Sequence, residues 1–152
     1  MEPERLRWSY TDCPVYFLTA CTYARQATLA NVGIHQAFRR FAKTARDHDV
    51  LVGRYVIMPD HLHLFAAFAP LSPPLSEWFK GLKRALAEEL KRTALRAPFW
   101  QRGFFDHILR SEESYKQKWR YVRDNPVRAG LVAMAEDWPW QGEIVPLLLR
   151  NL

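Results

Sequence analysis

The sequence predicts an α+β fold: an antiparallel sheet laid down in the order β-α-β-β-α-β, with one more helix towards its carboxyl end. Three observations predict it. Short runs rich in β-branched and aromatic residues alternate with longer runs of helical period. The two middle strands are separated only by Pro59-Asp60, which is turn material and leaves space for a hairpin alone. The chain has 152 residues, 49% of them hydrophobic, enough for one buried core and unlike a disordered segment.

The elements follow in order. Residues 13–23 (CPVYFLTACTY) are short and rich in β-branched and aromatic side chains, so they read as a strand. From 31 to 49 the period changes: Ile34, Ala37, Phe38, Phe41, Ala42 and Ala45 fall on one helical face, with Arg39, Arg40, Lys43 and Arg46 largely off it. Residues 51–58 (LVGRYVIM) and 61–69 (HLHLFAAFA) form the hairpin around Pro59-Asp60. Pro70, Pro73 and Pro74 break the chain. Leu75, Trp78, Phe79, Leu82, Leu86 and Leu90 then mark a second amphipathic helix to about residue 92, with Lys80, Lys83, Arg84 and Lys91 on its other face. Residues 103–109 (GFFDHIL) read as a fourth strand. Ser111 is placed to cap a third helix whose first turn carries Glu112 and Glu113, where the helix dipole favours acids. That helix is expected to end near Asn125, because Pro126 pushes its predecessor out of helical conformation. The first six elements match a ferredoxin-like split βαβ sheet, and the third helix is an addition to it. One domain over 1–152 is expected, with 1–10 and 142–152 peripheral.

Composition narrows the partners. Lys and Arg total 22 against 16 Asp and Glu, a net charge of +6. That excess favours polyanions, nucleic acid first and anionic membrane second. Six Trp, nine Phe and six Tyr fill a core or leave rings free to stack on bases. No apolar run approaches ~18 residues, so no membrane span is expected, and the first twenty residues lack the order of a signal peptide. Cys13 and Cys21 form no disulfide framework and read as reduced thiols, which places the protein in the cytoplasm.

Two constellations carry chemistry. His61 and His63 are two apart on a strand, so both imidazoles leave the same face, close enough to share a cation, while Leu62 and Leu64 point into the core. Two structural histidines, each hydrogen-bonded near the core, are the competing reading of so short a motif. In the third helix, Tyr121 and Asn125 are four apart, about 40° around the axis, and so share a face. A phenol is a nucleophile once deprotonated, and a carboxamide oxygen is a hard ligand for a divalent cation. Alternatively, Tyr121 is a half-buried core residue, and Asn125-Pro126 opens one more helical turn closed by Gly130. Tyr115 is a rival nucleophile, but Trp119 stands where an amide four residues on is needed. His107, in a strand with Phe105 and Leu109, reads as structural. Asp106 is either a partner within the site or a surface charge.

Taken together, YVIMPDHLHLF at 55–65, the basic helix around 80–84, WQRGFFDHILRSEE at 100–113, YVRDNPVRAGLV at 121–132 and WPW at 138–140 resemble the HUH-type single-tyrosine transposases, specifically the REP-associated tyrosine transposases. The likeness spans most of residues 14–140. It implies that His61 and His63 are the metal-binding pair and that Tyr121 is the nucleophile on its carboxyl-terminal helix. Asn125 stands where related insertion-sequence enzymes carry Gln as the third ligand. The implied substrate is hairpin-forming single-stranded DNA, the implied cofactor is Mg2+ or Mn2+, and the implied assembly is a monomer or a homodimer with exchanged helices. WPWQGE departs from the family's Ser-rich continuation.

Two imidazoles alone suit softer transition ions better than Mg2+, but phosphate oxygens and water would add hard ligands to an open site. The expected activity is a metal-dependent single-stranded DNA endonuclease and strand transferase working through a 5′-phosphotyrosine. DNA contacts are expected from Arg39, Arg40, Lys80, Lys83, Arg84, Arg120 and Arg123, positioning the backbone rather than reading bases. Two alternatives stay open: a non-catalytic hairpin-DNA-binding protein, and a metal phosphodiesterase that activates water.

Overall fold

Nine elements follow one another through the residues described by the computed structural model, 14–147. They are β1 (Val15–Cys21), α1 (Val32–Thr44), β2 (Val50–Ile57), β3 (His61–Phe68), α2 (Leu75–Lys91), β4 (Phe105–Leu109), α3 (Glu112–Arg123), the single turn α4 (Asn125–Arg128) and β5 (Gln141–Glu143), with 3-10 turns between some of them. The strands form one sheet in the order β4-β1-β3-β2-β5, and every neighbouring pair is antiparallel. This is the predicted ferredoxin-like arrangement with a fifth strand added beyond β2. The histidine strand β3 is central.

Strand alternation divides the two faces. Leu18, Ala20, Leu62, Leu64 and Ala66 point to one side and pack with Ile34, Phe38, Phe79, Leu82 and Leu86 of α1 and α2. Each fully buried leucine there contributes roughly 1.5–3 kcal/mol through loss of apolar surface from water. Phe65, Ala67 and Leu109 point to the other side and meet Tyr115 of α3, with Trp119 packed against them. The helix bearing Tyr121 therefore lies over the face from which His61 and His63 project. Ser111 caps α3 as its sequence predicts: its hydroxyl accepts from the Ser114 N–H, and Ser114 answers to the Ser111 N–H. Replacing Ser111 with Ala removes a cap worth roughly 0.5–2 kcal/mol.

Several boundaries differ from expectation. α3 ends at Arg123, and Asn125 begins a separate turn rather than ending the long helix. Gly130, at φ +74, closes that turn, with the N–H of Leu131 bonded to the carbonyl of Pro126 and that of Gly130 to Val127. The fourth strand begins at Phe105 and not at Gly103, which sits at φ +76. Residues 142–147 are not peripheral: Gln141–Glu143 pairs with β2, and Leu147 is buried. Gln-Gly-Glu has no strand pattern of its own. It is a strand because β2 offers an open edge, and because Gly142 lets the backbone close on Tyr55, whose Oη would lie 2.7 Å from a Cβ there. The expectations for 1–10, Cys13 and 148–152 lie outside the described residues; Cys21 is a buried free thiol. No described helix is long and apolar enough to cross a membrane.

Tyr55 also anchors a polar cluster beneath α1. Its hydroxyl accepts from Arg39 Nη1 at 2.7 Å and bonds His35 Nε2 at 2.7 Å. Burial, with the Arg39 charge adding to it, holds His35 below its usual pKa. A histidine kept neutral in the fold but free to protonate when unfolded gives its full stability above about pH 6.5 and loses it as pH falls from there towards the depressed native value. The urea midpoint of the protein should fall between pH 7 and pH 5, and the fall should be smaller in His35→Gln.

Candidate active site

The turn at Pro59-Asp60 delivers His61 to the first position of β3, and β-alternation sets His63 beside it. Their ring centroids are 4.8 Å apart, nearly perpendicular at 76°. The two imidazoles are therefore held side by side, as the spacing predicts. His63 stacks on Phe17 at 5.0 Å, and its Nδ1 is 2.8 Å from the Thr19 hydroxyl on the neighbouring strand. His61 Nδ1 is 2.8 Å from Asp60 Oδ1, and its Nε2 is 3.2 Å from Asn125 Nδ2. Asp60 Oδ2 accepts from Arg25 Nε at 2.9 Å.

The electrostatics of the pair follow from burial and from neighbouring cations. Burial pushes His63 down to about 3, and positive charge from His61, Lys118, Arg128 and Arg25 adds to it. His63 is thus neutral at neutral pH, the state in which an imidazole binds a metal. Burial alone would raise the Asp60 carboxyl, but its hydrogen bonds and charge interactions with Arg25 and His61 outweigh that, and it titrates below the usual carboxylate range. Among the described residues no three His, Cys, Asp or Glu side chains are arranged to hold a metal ion by themselves. A cation at this point would meet the two imidazoles and the Asn125 amide, with its remaining positions open. That donor set fits a divalent ion that shares its coordination with phosphate oxygens and water. The amide presently turns its nitrogen to His61 and its oxygen to Arg128 Nη2 at 3.4 Å, so ligation by Oδ1 requires the amide to turn over.

Asn125 reaches His61, but Tyr121 does so only through Arg128 and Asn125. Tyr121 is 64% exposed. The guanidinium of Arg128 lies 3.8 Å from its ring centroid and donates to the Tyr121 carbonyl at 2.7 Å. Arg128 therefore ties Tyr121 to Asn125, and Asn125 touches His61. Among the described residues, Tyr121 makes no direct hydrogen bond or ring contact with either imidazole. Its side chain lines an open groove of about 550 Å³ between β4 and α3, together with His107, Arg110, Ser114, Gln117 and Lys118. His107 is thus exposed on the edge strand, and among the described residues its side chain makes no hydrogen bond or ring contact. Tyr115 is separated from this site. It is buried against Phe65, and burial raises its hydroxyl to about 12 in spite of the nearby Arg54 charge.

The basic residues divide sharply. Arg39 is spent on Tyr55, as described. Lys83 donates to the carbonyls of Gln101 and Gly103 and lies over Trp100, and burial lowers its pKa. Both are structural ties rather than free cations. Arg40, Lys80 and Arg84 are exposed, but they sit on the helices that cover the opposite face of the sheet, and Lys80 is paired with Glu77 at 3.4 Å. Arg120 and Arg123 are exposed on α3, and Arg123 pairs with Asp124 at 3.6 Å. Sequence reasoning missed Arg25, Lys118 and Arg128, the cations that surround the imidazoles. Lys118 stands three residues before Tyr121 on the same helix, a spacing that could have found it, whereas Arg128 lies beyond the break at Asp124. Arg25 carries no such signal.

Comparison with known proteins adds the following. The family described as transposase IS200 like matches residues 10–125. The REP-associated tyrosine transposase of Escherichia coli K12 is 23% identical over 131 residues, covering 86% of this chain and 77% of that one. A solved REP-associated tyrosine transposase bound to a REP hairpin matches at TM-score 0.68 with 23% identity, over 87% of this chain and 78% of that one. A crystal structure from Deinococcus radiodurans R1 matches at TM-score 0.54 with 20% identity, over 76% and 92%.

Proposed function

The chain belongs to the IS200-like transposase family, and on that footing we propose that it cuts and rejoins single-stranded, hairpin-forming DNA through a 5′-phosphotyrosine on Tyr121. The observation that carries this reading is the joint between α3 and α4. It brings Asn125 onto His61 while Arg128 holds the Tyr121 ring within the same cluster. The relative solved with a REP hairpin supports hairpin DNA as the substrate class.

His61, His63 and Asn125 would hold Mg2+ or Mn2+. When bound, that ion supplies polarisation of the scissile phosphate and offsets its developing charge. The protein's own groups do the rest. Arg128 lies over the Tyr121 ring and restricts it, and Tyr121 lines the groove. Oη attacks phosphorus in line, the Tyr O–P bond forms and the bond from phosphorus to the 3′ oxygen breaks. The phenol proton is lost to solvent, and the departing strand takes up a proton as its 3′-hydroxyl. The protein–DNA link is still a phosphodiester, so a 3′-hydroxyl can reverse the step without ATP. The test is incubation of the protein with an end-labelled single-stranded hairpin and Mn2+. A covalent adduct that survives denaturant is expected. Binding without an adduct favours a non-catalytic hairpin-binding protein instead.

The groove between β4 and α3 fits the unpaired strand, with Lys118 and Arg110 available to phosphates. The slope of log K against log salt should therefore shrink by about 0.7 in Lys118→Ala, the value for one phosphate contact on a single strand. Lys83→Ala should leave the slope unchanged and lower the melting temperature, since Lys83 ties α2 to the loop before β4.

A further inference from the structure

We propose that Asp60 and Arg25 are positioning residues for His61: the Asp60 carboxylate holds the proton on Nδ1, Arg25 holds the carboxylate, and Nε2 is thereby kept bare as a donor. The inference rests on His61 being half of a cation-binding pair, as proposed above.

The carboxylate is fully committed. Oδ1 lies 2.8 Å from His61 Nδ1, and Oδ2 accepts from Arg25 Nε at 2.9 Å. A carboxylate has no proton to give, so the Nδ1 contact assigns the hydrogen to the ring. The opposite nitrogen agrees with the assignment: Asn125 Oδ1 accepts from Arg128 Nη2, which turns Nδ2 towards Nε2 at 3.2 Å, and with the amide so placed Nε2 receives a hydrogen. With one oxygen on the ring and the other on the guanidinium, Asp60 orients the imidazole rather than serving as a ligand itself. Outer carboxylates of this kind fix the tautomer of a ligating histidine and raise its basicity.

The backbone is built around the same contact. The Asp60 carbonyl accepts from the Thr22 N–H at 2.9 Å and from the Thr22 hydroxyl at 3.0 Å. This ties the hairpin turn to the end of β1. Immediately after Thr22, Ala24 and Arg25 take φ of 55° and 53°, the left-handed region, without a glycine at either place. Each costs roughly 1–2 kcal/mol relative to ordinary backbone. The turn directs the Arg25 side chain back onto Asp60; its Nη2 also stands 3.5 Å from His61 Nδ1, at the limit of hydrogen bonding, against 2.8 Å for the Asp60 carboxylate, and the shorter contact sets the proton on that nitrogen. A plain surface ion pair would need no such backbone. The partially exposed Arg25–Asp60 pair is worth little as a stabilising bridge by itself.

The tautomer can be read directly. In the metal-free, 15N-labelled full chain near pH 8, long-range nitrogen–proton NMR should show His61 protonated on Nδ1 and bare on Nε2. In Asp60→Ala the proton should move to Nε2 in a large fraction of molecules, and Mn2+ affinity by calorimetry should fall about 10–100-fold, the cost of losing an outer partner of a ligating histidine. Arg25→Ala, which leaves the acceptor and loosens it, should give a mixed tautomer and a smaller affinity loss. It carries the test alone if Asp60→Ala does not fold. A wild-type His61 protonated on Nε2 would overturn the inference, and so would a tautomer and affinity unchanged in the variants. If the wild-type protein binds no Mn2+, the metal reading of the pair fails, while the tautomer measurement still decides the roles of Asp60 and Arg25.

Discussion

Tyr121→Phe is expected to abolish the covalent protein–DNA adduct and to lower strand cleavage by at least about 10³-fold, as removal of a nucleophile does. The substitution deletes one oxygen. The phenyl ring keeps the Arg128 guanidinium on its face, and the residue is 64% exposed, so folding stability should change by no more than about 0.5 kcal/mol. A thermal melt run beside the denaturing gel checks that the loss is chemical. Tyr115→Phe is the internal comparison. Among the described residues the buried Tyr115 hydroxyl has no well-formed hydrogen bond, only a weak approach to the Arg54 backbone, so its removal should leave adduct yield intact and stability nearly unchanged. An adduct of normal yield in Tyr121→Phe, or its disappearance in Tyr115→Phe, would move the nucleophile elsewhere.

The second large effect is expected at the histidines. His61→Ala or His63→Ala removes one of two imidazole donors, and Mn2+ affinity should fall by more than the ~10–100-fold that loss of an outer partner costs. Cleavage should fall with it, and treatment of the wild-type protein with a chelator should reproduce the loss. The two positions should differ in stability. His63 is packed on Phe17 and bonded to Thr19, so its truncation leaves a gap in the layer under α3. His61 borders the more open end. The same variants separate strand transfer from water activation. A water-activating phosphodiesterase keeps turning over small phosphate esters in Tyr121→Phe and stops in His63→Ala. The phosphotyrosine mechanism forms no covalent adduct in Tyr121→Phe. A His63→Ala protein with unchanged Mn2+ affinity and cleavage would remove the pair from the site.

Legibility in the sequence followed the range of the forces involved. The period of two in His-Leu-His-Leu is a property of the strand backbone, so it placed both imidazoles on one face and both leucines in the core before any neighbour was known. The Ser111 cap and the Pro59-Asp60 turn are equally local, and they stand where local chemistry puts them. The basic helices were different. Helical spacing says which side chains leave the apolar stripe, but not what they then meet. Arg39 met the Tyr55 hydroxyl and Lys83 met two loop carbonyls, contacts across 16 to 20 positions of chain. Nor does spacing say which side of the sheet a helix covers. Arg40, Lys80 and Arg84 ended on the layer away from the imidazoles, whereas Lys118 and Arg128, on or next to the tyrosine helix, ended beside them.

From the sequence alone came the strand and helix order and the paired imidazoles, which rest on residue type and short-range periodicity that the backbone enforces by itself, and the likeness to the single-tyrosine transposases, which rests on several motifs in order. Only the tertiary structure decided that Asn125 touches His61, that Arg25 and Asp60 stand behind that ring, that Arg128 covers Tyr121, and that Gln141–Glu143 completes the sheet. Packing α3 over the histidine face of β3 brings Asn125 to His61, the turn after β1 carries Arg25 to Asp60, and the open edge of β2 takes up Gln141–Glu143. These three join segments far apart in the chain, and no short-range periodicity records them.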